Sequence, residues 1–265
     1  MATVDSPVSA QPPAALLPPE LRPCLDDVVT EDDTPVDNML SEKQQRLLTE
    51  PLYSSWNPGR PFLATANVGL FYAVRQPPLV PDALLSLDVQ VTADWFAKEH
   101  RSYFMWEFGK PPEAVVEIVS NTQGGETTDK MLKYAQIGIL YYAIYDPDHA
   151  VQNESLRVFV LRDKSYVPCP AAWLPVLGLG LLLWRGRFEN CDIEWLRWCD
   201  RDGRVIATGA ERAEQERQRA DQERQRADQE RQRADQERQR ADQEHRRVER
   251  LAAQLRAMGV DPDER

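Results

Sequence analysis

The stretch of sequence that decides the fold is residues 114–147, AVVEIVSNTQGGETTDKMLKYAQIGILYYAIYDP. It begins with Ala114–Val119, an almost continuous run of apolar, mostly β-branched residues that is typical of a strand covered on both faces. A polar loop and a predicted helix over about Glu126–Ile137 follow, and Gly138 suits the end of that helix. A second apolar strand, Ile139–Tyr145, completes a strand-helix-strand unit. Because such a unit joins parallel strands, part of the sheet is predicted to be parallel.

Shorter segments on both sides of this unit predict further elements. Upstream, Ser41 and Gln44 form a capping box that opens a helix, and Pro51 is expected to end it. The other strand candidates are Phe62–Thr65, Val68–Val74, Ala83–Val91, Leu156–Leu161, Ser165–Pro168, Leu177–Trp184 and Ile193–Trp198. Together these segments predict an α/β fold with a mixed β-sheet core flanked by helices.

One charged residue stands inside the first apolar strand. Glu117 is costly there, unless the strand is a solvent-exposed edge or the charge is used. Asp82 opens the preceding long strand, and Lys130 lies on the helix that follows Glu117. Two carboxylates on adjacent strands can hold Mg²⁺, which binds a phosphate oxygen and activates water, while an ammonium stabilises developing negative charge. The pattern therefore predicts a divalent-metal site.

Simpler interpretations exist for the individual residues of this site. Asp82 follows a proline at a strand entrance, where an aspartate often closes an Asx turn. Lys130 can form an ordinary i,i+4 surface pair with Glu126. Asp88 shares the strand face of Asp82 by the two-residue period and is the alternative first ligand. Glu42, on the first helix, is a possible further carboxylate, although a solvated helix face suits it better.

The segment between residues 92 and 112 mixes aromatic and basic side chains. Its members are Lys98, His100, Arg101, Tyr103, Phe104, Trp106, Phe108 and Lys110. This mixture is typical of a loop that contacts nucleic acid. It is equally typical of a lid whose aromatic residues pack on the sheet, and we favour packing.

The C-terminal part repeats A-D-Q-E-R-Q-R with a period of seven from Ala213 onward, with Glu214 replacing the first aspartate. The repeat is rich in helix formers and lacks glycine and proline, so it predicts a long helix. With alanine at heptad position a, glutamate falls at d and cannot form an apolar seam; only Val248–Met258 has a zipper pattern. A solvated single helix and a weak coiled coil closed by this zipper are both compatible with the pattern.

Composition divides the chain of 265 residues into four parts. Residues 1–38 form an acidic, proline-rich tail that we predict to be disordered. Residues 39–208 form the predicted folded domain, residues 209–258 the charged heptad-repeat helix, and residues 259–265 a short tail. The net charge of −11 excludes a broadly basic nucleic-acid-binding surface. Because most of that charge lies in the first 40 residues, a local metal-dependent site stays compatible with it.

The cysteine and histidine patterns restrict the class of protein further. Four cysteines without C-x-x-C spacing and three distant histidines exclude zinc-finger and haem-attachment motifs. The cysteines are too few for a disulfide scaffold, which suits a reducing compartment. The longest apolar run, residues 171–184, is too short to cross a membrane, and no secretory signal opens the chain. We therefore expect a cytoplasmic protein without a membrane partner.

Three segments together resemble a known family. They read PPLVPDALLSLDV at residues 77–89, PPEAVVEIVSNTQGGETTDKMLKYAQIGILYYAIYDP at 111–147, and WLRWCDRDGRVIATGAERAEQERQRA at 195–220. They are similar to the Uma2 family of endonucleases, which lies within the PD-(D/E)XK superfamily, and the likeness covers about residues 40–220. Val119 stands where the lysine of the superfamily motif normally lies.

The resemblance implies a restriction-endonuclease-like core and DNA cleavage that depends on Mg²⁺ or Mn²⁺. The family pattern has an acidic residue, a lysine and a tyrosine in the helix after the catalytic strand, and these fall on Glu126, Lys130 and Tyr134. It implies that Asp82 and Glu117 bind the metal and that Lys130 replaces the missing ammonium, whereas Tyr134 is explained better by packing. DNA is then the substrate. A homodimer, for which the C-terminal helix is the candidate interface, would suit the cutting of two strands.

The rival interpretation is a catalytically inactive nuclease fold that acts as a scaffold through its C-terminal helix. Val119 at the usual lysine position and the length of the charged tail favour this rival. The presence of Asp82, Glu117 and Lys130 at mutually compatible places favours the enzyme.

Overall fold

The computed structural model describes residues 38–73, 75–90, 100–119 and 129–258. The predicted acidic tail and the C-terminal tail lie outside the described residues, apart from Asn38, and so does Glu126. The helices are α1 (Met39–Ser55), α2 (Met105–Phe108), α3 (Asp129–Ile137) and α4 (Gly209–Ala257). The strands are β1 (Phe62–Ala66), β2 (Leu70–Phe71), β3 (Ala83–Leu87), β4 (Tyr103–Phe104), β5 (Ala114–Ile118), β6 (Tyr141–Tyr145), β7 (Leu156–Arg162), β8 (Ser165–Pro168), β9 (Trp173–Leu174), β10 (Leu179–Phe188) and β11 (Cys191–Cys199).

A six-stranded mixed sheet forms the centre of the fold, in the order β1-β3-β5-β6-β7-β8. Strands β5 and β6 pair in parallel, with Val116 opposite Ala143. The other neighbours in this sheet pair antiparallel. The parallel pair is joined through α3, so the predicted strand-helix-strand unit and the α/β class are confirmed.

The two faces of the central sheet carry separate hydrophobic clusters. On the first face, Val116 and Ile118 of β5 pack with Leu48 of α1 and with residues of β10 and β11. On the second face, Val115 of β5 packs with Tyr134 of α3. Because side chains alternate along a strand, Glu117 shares the second face with Val115.

Helix α1 continues through Pro51 and ends at Ser55, so the prediction that Pro51 ends the helix is wrong. Tertiary packing explains the continuation. Leu48 and Leu52, which flank Pro51, are nearly fully buried, and the indole of Trp198 donates a hydrogen bond to the Leu48 carbonyl. These contacts oppose the roughly 3 kcal/mol that an interior proline costs a helix.

Strands β9, β10 and β11 form a second, three-stranded antiparallel sheet that leads into α4. Thr208 and Glu211 form a capping box at the start of α4. None of the helix's residues is buried, and at 1.5 Å per residue it extends about 74 Å. Within the described ranges, no helix is both long and apolar enough to cross a membrane.

Candidate active site

Glu117 lies in the middle of the central sheet and is only 1% exposed. Its strand, β5, is paired on one side with β3 and on the other with β6, so it is not an edge strand. A carboxylate in this position costs several kcal/mol unless it is hydrogen-bonded or paired with a charge. The edge-strand interpretation of Glu117 is therefore excluded, and its partners decide what the charge can do.

Two side chains of α3 hold the Glu117 carboxylate. Lys130 Nζ donates a hydrogen bond to Oε2 at 2.8 Å, and the Tyr134 hydroxyl donates one to Oε1 at 2.6 Å. Lys130 and Tyr134 are four residues apart, so they lie on the same face of the helix. Lys130 is 31% exposed and can reach both the carboxylate and solvent. The helix that follows the strand thus brings an ammonium to Glu117, although position 119 holds a buried valine.

Asp82 lies directly across from Glu117 at the entrance to β3. The antiparallel register pairs Ala83 with Val116, which sets Asp82 opposite Glu117 on the neighbouring strand. Asp82 Oδ2 accepts a hydrogen bond from the Ile118 backbone N–H at 2.6 Å. The two carboxylates that the sequence singled out therefore belong to residues that lie opposite each other on adjacent strands.

Burial raises the pKa of Glu117 to about 8. The Lys130 ammonium and the Tyr134 hydrogen bond lower this pKa, but the nearby negative charge of Asp82 raises it. Burial also raises the pKa of Tyr134, with the Glu117 charge as the next cause, so the hydroxyl stays protonated and keeps donating its hydrogen bond. A carboxyl group whose pKa is strongly raised and which has a second carboxylate beside it is typical of a functional site.

Gln45 and Asn67 lie beside Asp82, and neither was predicted from the sequence as a site residue. Gln45 Nε2 donates to Asp82 Oδ1 at 3.2 Å, and Asn67 Nδ2 donates to Gln45 Oε1 at 3.1 Å. Gln45 is 5% exposed on the face of α1 that packs against the sheet. A polar residue on the apolar face of a helix was the available signal, but its partner depends on how α1 packs on β3.

The other candidate carboxylates lie elsewhere. Asp88 follows β3 at the end opposite to Asp82, about 20 Å along the strand, and pairs with Arg60 at 3.1 Å. Asp88 therefore cannot share one ion with Glu117. Glu42 lies on the exposed side of α1 and pairs with Arg46 at 2.7 Å, as the solvated-face interpretation predicts.

The residues present suit a hydrated Mg²⁺ or Mn²⁺ ion better than a dedicated all-protein cage. Among the described residues, no group of three or more His, Cys, Asp or Glu side chains could hold an ion. Mg²⁺ commonly binds through one or two carboxylates and keeps several waters. Asp82 and Glu117 provide that donor set, and the crowding of their two charges would be relieved by a cation.

The structure thus has a mixed α/β sheet in which Asp82 and Glu117 lie opposite each other on adjacent strands, with Lys130 of α3 bonded to Glu117. The model of the Uma2 family, described as "Putative restriction endonuclease", matches residues 30–183. This match covers more than half of the chain, so the chain belongs to the Uma2 family.

The chain is also similar to solved structures. A crystal structure of a "putative nuclease" from Anabaena variabilis is similar at 20% sequence identity, with a TM-score of 0.36. The match covers 53% of this chain and 74% of that one. Among curated proteins, none matches the chain.

Proposed function

We propose that this protein is a Mg²⁺- or Mn²⁺-dependent DNA endonuclease that acts in the cytoplasm. The observation that carries the proposal is the fully buried Glu117, held by Lys130 and Tyr134 and faced by Asp82 on the next strand. Membership of the Uma2 family, described as "Putative restriction endonuclease", supports phosphodiester hydrolysis in DNA as the reaction.

Asp82 and Glu117 would hold the metal ion, which when bound polarises the phosphate and lowers the pKa of water. Lys130 would keep Glu117 in place and present its exposed ammonium to the negative charge that develops on the phosphate. Tyr134 would orient the Glu117 carboxylate from the opposite oxygen. Gln45 would orient Asp82 in the same way.

The test is a nicking assay of the full chain on supercoiled and linear DNA, with Mg²⁺, Mn²⁺ or EDTA. We expect Lys130→Ala to lower the rate about 10²- to 10³-fold, the usual effect of removing one transition-state donor. Lys133→Ala is the matched control, because Lys133 is an exposed lysine on the same helix. Equal rates for wild type, Lys130→Ala and Lys133→Ala would contradict this role of Lys130.

We also propose that the protein acts as a homodimer formed through α4. The exposed apolar side chains near the end of the helix support this, since Val248, Leu251 and Leu255 are 54%, 50% and 38% exposed and follow a heptad spacing. Removing residues 220–265, which keeps the Arg197–Glu211 ion pair and the first turns of α4, and measuring the mass in solution tests it. A dimer that persists after truncation would show that the removed part of α4 does not form the dimer interface.

An inactive scaffold that works through α4 is the second candidate function. The observations in its favour are the buried Val119 at the usual lysine position and the long helix without a buried residue. Absence of nicking by the wild type with every metal and substrate would favour the scaffold over the endonuclease.

A further inference from the structure

An aromatic lobe, which we define as residues 68–73, 75–80 and 100–110, covers the sheet face that carries Glu117. It is anchored by a short parallel strand pair in which Leu70 lies opposite Tyr103. These two side chains are at most 1% exposed and belong to the hydrophobic cluster of the second face, together with Tyr134. The lobe therefore lies on the same side of the sheet as the candidate active site.

The residues that follow Leu70 on β2 and Tyr103 on β4 are Phe71 and Phe104. Their side chains point away from the core and their rings stack at the surface. Phe71 and Phe104 stack with ring centroids 4.8 Å apart, and Trp106 lies beside this pair, 5.2 Å from Phe104 with its ring tilted by 45°. Trp106 is 50% exposed, so the stack ends in an aromatic surface open to solvent. A Cβ at Gly69 would lie 3.0 Å from the Phe71 ring, which shows that the glycine lets this ring lie against the backbone.

The aromatic residues of this region thus divide into two groups. Tyr103 and Phe108 stack on each other at 4.5 Å and pack toward the sheet, as the packing interpretation predicts. Among the described residues, Phe71, Phe104 and Trp106 do not belong to either core cluster. Packing alone therefore accounts for only the first group.

The position and charge of the lobe favour a nucleic acid as the partner of this stack. Leu70 exchanges two backbone hydrogen bonds with Leu79, and Asp82 follows three residues later, at most about 11 Å along the chain. Among its described residues the lobe carries two arginines, Arg75 and Arg101, and one acid, Glu107, in a chain with a net charge of −11. Its third base, Lys110, is paired with Glu113 just outside the lobe. Local positive charge beside exposed rings is the composition of single-strand-binding surfaces.

We infer that Phe71, Phe104 and Trp106 form a stacking platform for unpaired bases of single-stranded DNA beside the active site. The bases of an intact duplex already stack on one another, whereas unpaired bases leave a π-face for Trp106. This inference rests on the proposed function and specifies its substrate class as DNA with an unpaired segment.

Binding of fluorescently labelled DNA to the full chain tests the platform, with EDTA present so that no cleavage occurs. The probes are a thymidine strand of roughly 16 nucleotides and a blunt duplex of the same length. Trp106→Ala should weaken binding of the strand about 5- to 100-fold, since one base stack is lost. Trp106→Phe should restore most of the affinity, and Val176→Ala, which truncates an apolar side chain that is 46% exposed, should leave it unchanged. Duplex binding through phosphates should change by less than about twofold in all three variants.

Unchanged strand binding by Trp106→Ala, or an equal loss on strand and duplex, would overturn the platform. Stronger Trp106-dependent binding of a matching uridine strand would overturn the assignment to DNA. A change in the mass of Trp106→Ala in solution without a change in DNA binding would mean that the stack contacts a second copy of the chain instead.

The outcomes for the platform and for the endonuclease are separable. If wild type nicks DNA in a Glu117-dependent manner but Trp106 has no effect on binding, only the platform fails. If wild type binds the strand through Trp106 but never nicks DNA, the platform stands and the endonuclease fails.

Discussion

Among the described residues three charged side chains are buried, Glu117, Asp146 and Arg197. Glu117 in the central sheet and Arg197 in the second sheet have different surroundings. Glu117 is 1% exposed and Arg197 is fully buried. Both would cost several kcal/mol if left without partners. The chemistry of their partners differs, and this difference separates a structural charge from a functional one.

Arg197 is compensated by an opposite charge and by the start of α4. Its guanidinium donates to both carboxylate oxygens of Glu211, at 2.8 and 3.2 Å, and to the Ile206 carbonyl at 3.0 Å. It also lies over the Trp184 ring at 4.9 Å. Because Glu211 is part of the capping box, the ion pair fixes the first turn of α4 to the domain. Arg197 therefore acts as a structural anchor.

Glu117 is compensated only in part. Lys130 is an opposite charge but lies partly in solvent, Tyr134 is neutral, and Asp82 adds a like charge. Burial raises the pKa of Glu117 more than Lys130 and Tyr134 lower it, whereas Arg197 and Thr208 lower the pKa of Glu211 more than burial raises it. A buried charge that the fold leaves incompletely compensated is suited to bind a cationic ligand.

The largest expected effect is a loss of nicking activity without a loss of stability when Glu117 is replaced. Glu117→Gln keeps the shape but removes a metal ligand, so we expect the nicking rate to fall about 10³-fold or more. Its free energy of unfolding should be unchanged or higher, because a poorly compensated buried charge next to Asp82 is removed. Nicking rates and thermal unfolding of the purified variant measure both. A marked loss of stability would mean that Glu117 is structural, like Arg197.

The opposite result is expected at the anchor. Glu211→Gln leaves the Arg197 cation buried without its counter-charge, which should lower the free energy of unfolding by about 2–3 kcal/mol. Glu216→Gln is the control, because Glu216 forms only an exposed pair with Arg212 at 3.5 Å and should change stability by less than about 0.5 kcal/mol. Urea denaturation measures both variants. If Glu211→Gln and Glu216→Gln are equally stable, the Arg197–Glu211 pair stabilises the fold no more than the exposed Arg212–Glu216 pair does.

A smaller effect is expected at Tyr134, which contacts the functional charge without being a metal ligand in the proposal. Tyr134→Phe removes the hydrogen bond to Glu117 Oε1 but keeps the ring packed against Tyr142. We expect the nicking rate to fall about tenfold, which corresponds to one hydrogen bond to a carboxylate. An upward shift of the pH at which the rate is half-maximal would accompany the loss, because the Glu117 pKa rises further. An unchanged rate and pH profile would restrict Tyr134 to packing.

The smallest expected effect is the pH dependence of the anchor. Burial raises the pKa of Glu211, but the hydrogen bonds and charge of Arg197 and the Thr208 N–H lower it more, below its ordinary value of 4.5. The stability that ionised Glu211 contributes is therefore present above about pH 4.5 and is lost as the pH falls through the lowered pKa. The difference in unfolding free energy between wild type and Glu211→Gln should shrink on acidification from pH 7 to pH 3. A difference that stays constant over this range would contradict the coupling.

Elements with a local signal were predictable from the sequence, and elements that depend on distant partners were not. The strand-helix-strand unit was predicted within a few residues because its apolar runs and Gly138 act locally. The strand expected over Val68–Val74 is only Leu70–Phe71, since its partner is a two-residue strand. The helix expected to end at Pro51 continues, because Leu48 and Leu52 are buried against the sheets.

The sequence by itself determined that a carboxylate, Glu117, stands in an apolar strand, and that the C-terminal repeat is helical, because composition and periodicity are local properties of the chain. Only the tertiary structure decided that Gln45 contacts Asp82, that Lys130 reaches Glu117, and that Trp106 stays at the surface. These contacts depend on strand register and on how helices pack on the sheet. Such long-range geometry is set by the whole core and by no single segment.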